Sequence, residues 1–341
     1  SPEISNLSDQ TVAISTGTNS VGAPVINTRS ADTVVFTPDG QTVVIGGLMA
    51  GVLYSLVALG FVLIYKASGV YNFAQGAMVL FAALAVARLA ERMPLWAAVI
   101  LGCLIMIILA IVIERLVLRP LVNQEGIVLL MATLGITYFL EGLGQTIFGS
   151  DIYKIDLGIS KEPMFVMEKM FDGGILLNKE DLVATAIAAS LVLVLALFFQ
   201  KTATGRALRA VSDDHQAAQS IGIPLNRIWV IVWSVAGFVA LVAGMVWGSK
   251  LGVQFSLSDV ALKALPVVIL GGFTSIPGAI IGGLIIGVGE KIAEVFLSPI
   301  LIKTFDLAGG GIENWFAYVL ALIFLLIRPE GLFGEKHIDR V

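Results

Sequence analysis

The chain has 341 residues, of which 57% are hydrophobic before its 36 glycines are counted and only 13% are charged, against about 25% charged in ordinary soluble domains. So few charges cannot cover a water-exposed surface, which excludes a soluble globular protein and makes this an integral membrane chain. The net charge of −4 gives no basic footprint for nucleic acid, one cysteine (Cys103) excludes an intrachain disulfide, and His215 and His337 lack metal-ligand spacing.

Residues 1–43 form a polar arm, with Thr33 to Phe36 and Val43 to Ile45 patterned as short strands and Pro38-Asp39-Gly40 as a turn. A start at Ser1 reads as the product of signal-peptide cleavage, which places the arm outside the membrane; a chain cut there for another reason is the alternative. Apolar runs of about 20 residues, the length that crosses hydrocarbon, predict spans near 44–64, 72–90, 95–117, 127–149, 182–199, 227–249 and 312–327. The stretch 260–297 is different. It reads as a short piece from Val260 to Gly272, a Gly/Pro break from Phe273 to Gly278, and a Gly-dotted piece from Ala279 to Leu297. The first piece rises only about 20 Å, so a broken or re-entrant helix is expected, and its non-helical backbone is a pathway candidate.

The expected fold is an all-α membrane bundle of about eight transmembrane helices. The membrane domain runs over 44–334 and contains a coupling segment at 200–226; a short cytoplasmic tail follows at 335–341. Basic residues are about twice as dense in the loops on the 200–226 side, which makes that side cytoplasmic. Four glycine pairs at i,i+4 spacing (Gly47/Gly51, Gly244/Gly248, Gly278/Gly282, Gly283/Gly287) mark helix faces that neighbouring backbones approach closely.

No G-x-x-x-x-G-K-[ST], H-E-x-x-H or G-x-S-x-G sequence occurs, so the chain shows no nucleotide-cradling, zinc-protease or serine-hydrolase machinery. It is not an enzyme on this reading, it needs no cofactor of its own, and any ATP is used by another polypeptide. In 200–226, Leu208, Val211, His215, Ala218 and Ile221 share one helical face. Arg206, Arg209, Asp213 and Asp214 take the remainder, and Gly205 and Gly222 flank the helix. Such a helix lies on the membrane surface or docks into a partner.

Several blocks together resemble the permease subunits of branched-chain amino acid ABC transporters: GVLYSLVALGFVLIY from Gly51, GVYNFAQG from Gly69, ERLVLRP from Glu114, GRA…SIGI from Gly205, LPVVILGGFTSIPGAIIGG from Leu265 and RPEGLFG from Arg328. The resemblance spans about residues 45–334. It implies a bacterial inner-membrane, multi-pass subunit, so that the outward-facing arm lies in the periplasm; the arm itself has no counterpart in shorter members of the family. It also implies three kinds of partner: a second, homologous or identical permease, two ATPase subunits and a periplasmic solute-binding protein. In that family the 205–223 segment is the cytoplasmic coupling helix, here carried by Gly205, Arg206, Leu208, Val211, Asp213, Asp214, His215, Ala218 and Gly222. The family pattern N-F-A-H-G reads Asn72-Phe73-Ala74-Gln75-Gly76 here, so a neutral amide replaces an ionisable ring. Related permeases carry urea or short amides, and nothing in these blocks separates the substrates.

Seven residues are candidates for the substrate pathway. Asn72 and Gln75 are amides on one helical face entering the bilayer, which either line the pathway or cap and cross-link helices. Tyr54 sits midway in the first span. Glu141 is a carboxylate within the 127–149 span, Lys263 a cation in the half-helix, and Thr274 and Ser275 are hydroxyls at the break. A secondary transporter using Glu141 as its ion site and a membrane scaffold without transport are the competing readings.

Overall fold

The computed structural model describes residues 40–69, 71–121, 124–160, 162–166, 175–213, 215–305 and 311–334. The expected arm, up to residue 39, and the tail 335–341 lie outside the described residues. The first helix, α1, runs from Gly40 to Ser68 and carries no charge before Lys66. It includes Val43 to Ile45, expected as strand. A helix satisfies its own N–H and C=O groups in lipid, whereas an isolated strand leaves both edges unpaired.

The next three helices are α2 (Gln75–Ala90), α3 (Leu95–Ile113) and α4 (Gly126–Phe148). At the end of α3, Glu114–Leu118 forms a π-helical turn and Arg119–Leu121 a 3-10 turn. The Glu114 carboxylate is fully buried there and accepts from Arg119 Nε at 3.2 Å and Nη2 at 3.1 Å, which accounts for the E-R-L-V-L-R-P block. A hairpin unforeseen by the all-α expectation follows, with β1 (Pro163–Val166) antiparallel to β2 (Ile175–Asn178) and Pro163 opposite Asn178.

Then come α5 (Lys179–Lys201), α6 (Ala203–Asp213), α7 (His215–Ser220) and α8 (Leu225–Leu251). The chain continues with α9 (Val260–Gly271), α10 (Ile276–Ile292), α11 (Ser298–Phe305) and α12 (Ile312–Ile327).

Among the described residues, five helices are long and apolar enough to cross a bilayer, six if the bent pair 255–271 and 276–304 counts as one span. By length, the expected spans at 72–90 and 312–327 fall outside this count. The helices there have 16 residues each and reach about 24 Å at 1.5 Å per residue, short of a ~30 Å hydrocarbon core. The 260–297 stretch is broken as expected, with α9 and α10 meeting at a 115° bend.

Burial sorts the spans. The apolar window of α1 is 83% buried and that of α8 67%, against 17% for α4 and 28% for α3 and α5, so α1 and α8 are the central pillars. Seven of the eight paired positions meet a neighbouring backbone, and Gly248 meets the side chains of Val253 and Ile155. Gly47 and Gly51 on α1 face Gly287 and Gly283 on α10, Gly278 and Gly282 face Gly271 and Val267 on α9, and Gly244 faces Val79 on α2. At the α1–α10 contact the Ser55 hydroxyl lies 2.8 Å from the Gly51 carbonyl and 3.2 Å from that of Ile280, closing polar groups that lipid would leave unpaired.

Candidate functional site

The chain does not pass straight from α1 to α2. Gln75, the first residue of α2, packs against Gly60, eight residues before the end of α1 and so about 12 Å back along it. Residues 71–74 therefore re-enter the bundle. Asn72 holds this turn: its Oδ1 accepts from the Ala74 N–H at 3.2 Å and its Nδ2 donates to Gln75 Oε1 at 3.2 Å, while the Thr133 hydroxyl of α4 meets the Tyr71 carbonyl at 3.2 Å. Asn72 and Gln75 are both fully buried, and the bonds of the Asn72 side chain stay within this turn. Tyr71 stacks on Phe61 at 5.4 Å and meets Phe273 edge-on at 5.7 Å, so the re-entrant turn and the α9–α10 break share one aromatic cluster.

A second re-entry follows α8. The backbone turns at Gly252 (φ +79°) and pairs Val253 with Tyr153. A 3-10 turn at Phe255–Asp259 then leads into α9. Ser258 of that turn abuts Gly76, where a side chain would collide with its carbonyl; only glycine admits this approach.

Between the starts of α2 and α9 and the flank of α4 lies a groove of about 290 Å³. Phe61, Phe73, Leu134 and Leu265 supply its apolar walls, and Thr137, Glu141, Ser258 and Asp259 its polar groups. The N-terminal ends of two short helices thus converge with two carboxylates on one partly open space. Half-helix ends at membrane depth are where transporters place charged groups of their cargo.

Of the seven predicted pathway residues, only Glu141 borders this groove. Thr274 and Ser275 border a second cavity, at the Lys66 end of α1, together with Lys66, Gly205, Leu208 and Arg209. The break is therefore set apart from the groove. It lies beside the α5–α6 corner and is closed by protein: Lys66 Nζ donates to the Thr274 carbonyl at 3.1 Å, and the C-terminal segment pairs with the end of α9 through Leu332 N–H to the Leu270 carbonyl at 2.8 Å and Phe333 N–H to the Gly271 carbonyl at 3.2 Å. Gly272 (φ +101°) and Gly331 (φ +82°) touch across this pairing, which explains the R-P-E-G-L-F-G block.

Tyr54 and Lys263 occupy a third place. Both converge on Glu290 of α10, a buried carboxylate that the sequence analysis passed over: Tyr54 O–H donates to its Oε1 at 3.1 Å, and Lys263 Nζ stands 3.9 Å from the same oxygen. Tyr54 also stacks on Trp247 of α8 at 5.8 Å.

A family model described as "Branched-chain amino acid transport system / permease component" matches residues 43–328. The chain belongs to the branched-chain amino acid transport permease family. It is 27% identical over 86% of its length to the high-affinity branched-chain amino acid transport system permease protein LivH of Salmonella typhimurium, 96% of which is covered. Over 87% of its length it is 26% identical to BraD of Pseudomonas aeruginosa, again covering 96%. To a probable branched-chain amino acid transport permease of Methanocaldococcus jannaschii it is 30% identical, over 85% of this chain and 91% of that one. These relatives are transport subunits rather than enzymes.

In this permease the expected coupling helix is two helices, α6 and α7. Asp214 and the side chains of Asp213 and His215 lie outside the described residues. Three residues of the apolar stripe face inward: Leu208, Val211 and Ala218 are buried where α6 packs on α5, α1 and α8 and α7 on α8, whereas Ile221, expected on the same face, is exposed. Gly205 sits against the Phe199 carbonyl. Arg206 donates to the Lys201 carbonyl at 3.3 Å, and Arg209 to those of Phe199 and Gln200, so both arginines cap the C-terminus of α5 and oppose its dipole. The exposed side carries Ala217, Gln219, Ile221 and Gly222.

Glu290 yields a direct expectation. Interhelical hydrogen bonds in membranes contribute about 0.6 kcal/mol on average and ~1.7 at most. A double-mutant cycle of Tyr54→Phe and Glu290→Met, which removes the acceptor, is expected to give a coupling of about 1 kcal/mol in unfolding free energy. Additive effects of the two substitutions would refute the contact.

Proposed function

We propose that this permease is the membrane-spanning subunit of an ABC importer and that the groove between α2, α4 and α9 is its station for branched-chain or other small apolar amino acids. The observation carrying this reading is the groove's mixed chemistry. Glu141 and Asp259 suit an ammonium group, the helix starts suit a carboxylate, and Phe61, Phe73, Leu134 and Leu265 suit a branched aliphatic side chain. The groove is partly open, and a second permease, identical or homologous, closes it.

Two ATPase subunits act on α6 and α7, and a solute-binding protein delivers cargo at the opposite end, where the arm 1–43 lies outside the inner membrane. ATP-driven closure of the ATPases favours one of two packed arrangements of the helices, which alternates access to the groove. The permease binds no ATP itself; its partners do.

The test is leucine uptake into vesicles containing the assembled transporter. Glu141→Gln and Asp259→Asn are each expected to lower uptake about tenfold, equivalent to ~1.4 kcal/mol, with complex yield and basal ATPase rate unchanged. Normal uptake in both variants would remove the groove from the pathway. The intramembrane carboxylates Glu141 and Glu290 also fit an ion-coupled transporter, and uptake that follows a proton gradient without ATP would favour that reading.

A further inference from the structure

The cavity at the Lys66 end of the bundle is built differently from the groove. It occupies about 200 Å³, the space of six or seven waters at ~30 Å³ each. Its described lining contains two cations, Lys66 and Arg209, and no carboxylate. Lys66 uses one donor on the Thr274 carbonyl and Arg209 two on the end of α5, which leaves two ammonium and three guanidinium N–H groups of the full complement. The Ser275 hydroxyl accepts from the Gly278 N–H, which leaves its own proton to donate, and Thr274 also lines the cavity. The 17-residue α10 begins at this wall with Ile276 and Pro277, so its positive dipole end adds to the two cations.

Cations and hydroxyl donors without an acid form an anion site. We propose that the cavity holds a phosphate group, supplied either by an anionic lipid headgroup or by a free phosphate. The site lies at the end of α1, where a membrane-spanning helix meets the headgroups, and basic pockets between helices at that level bind anionic lipid. Its occupant bridges the α5–α6 corner, through Arg209, to the α9–α10 hairpin, through Ser275. It therefore ties the α5–α6 corner to a helix pair of which α9 borders the groove. The site does not depend on what the groove carries.

The experiment uses the full-length permease, delipidated in a neutral detergent, and reads its thermal unfolding midpoint. Four probes are titrated separately: phosphatidylglycerol, phosphatidylcholine of the same chains, inorganic phosphate and leucine. Phosphatidylglycerol is expected to raise the midpoint, with half-saturation about tenfold weaker in Lys66→Gln and restored in Lys66→Arg. The glutamine keeps a donor for the Thr274 carbonyl, so the variant tests charge rather than folding. A shift with phosphatidylglycerol alone assigns the occupant to lipid, and an additional Lys66-dependent shift with inorganic phosphate assigns it to the free ion. Equal responses of wild type and Lys66→Gln, equal effects of the two lipids without a phosphate response, or protection by leucine in place of the anions would overturn the proposal.

Discussion

Val211→Glu is expected to abolish accumulation of folded permease, whereas Ile221→Glu, ten residues along the same segment, leaves it intact. Val211 has no exposed surface and Ile221 is 72% exposed. A carboxylate at 211 would enter the contact of α6 with α5, α1 and α8 without a partner, and an unpaired buried charge costs about 4 kcal/mol or more. A carboxylate at 221 meets solvent in the isolated permease, and its effect is confined to whatever docks there. The measurement is yield of monodisperse protein by size exclusion, followed by copurification with the ATPase subunits. Ile221→Glu is expected to weaken that association at least tenfold, about 1.4 kcal/mol. Full yield of Val211→Glu would show that the stripe faces outward, and undiminished ATPase association of Ile221→Glu would place the docking face elsewhere.

The contrast between those two residues shows where sequence reasoning stops. A stripe at helical spacing establishes that one face of 205–221 is apolar, but not whether its cover is another chain or the rest of the same one. For Leu208, Val211 and Ala218, though not for Ile221, it is the same one, because Gly205 lets α6 fold back against the end of α5 and the two arginines hold the corner. The break at Phe273–Gly278 was legible for a local reason, since glycine and proline interrupt the apolar run. Its position was not, because the Lys66 contact and the pairing with Leu332 and Phe333 are made by residues over 50 positions away.

The groove itself was half legible. Glu141 stands out as an acid in an apolar run, and Asn72 and Gln75 as amides. The re-entry of 71–74 and 252–259, which brings Ser258 to Gly76 and Asp259 to the groove, depends on how far α2 starts up the flank of α1, and no local pattern records that. Glu290 was missed because Lys291 and Glu294 surround it and make the stretch resemble a solvated helix end. Its burial follows from facing Tyr54 across α1. A carboxylate at the end of a run of paired small residues (Gly283, Gly287) was the available signal, since that run already marked the face that meets another helix.

Those small residues carry the second large effect. Gly51→Leu and Gly287→Leu are each expected to cost about 3 kcal/mol or more and to remove most folded protein, because a side chain at either position meets backbone rather than a flexible neighbour. A Cβ built at Gly51 would lie 2.6 Å from the Gly283 carbonyl oxygen and 2.8 Å from the Leu284 Cα, while Gly287 approaches Gly47 and Gly51 on the other side of the same contact. Only separation of α1 from α10 relieves such a clash, and that separation also breaks the Ser55 hydrogen bond to Ile280 and draws Glu290 away from Tyr54. Gly46 is the internal control: it lies one residue from Gly47 on the same helix, and a side chain there meets nothing within 4 Å. Gly46→Leu is expected to unfold within about 0.5 kcal/mol of the wild type. Thermal midpoints and folded yields of the three variants in one detergent decide the matter, and a Gly51→Leu protein as stable as Gly46→Leu would mean that α1 and α10 do not pack through their glycines.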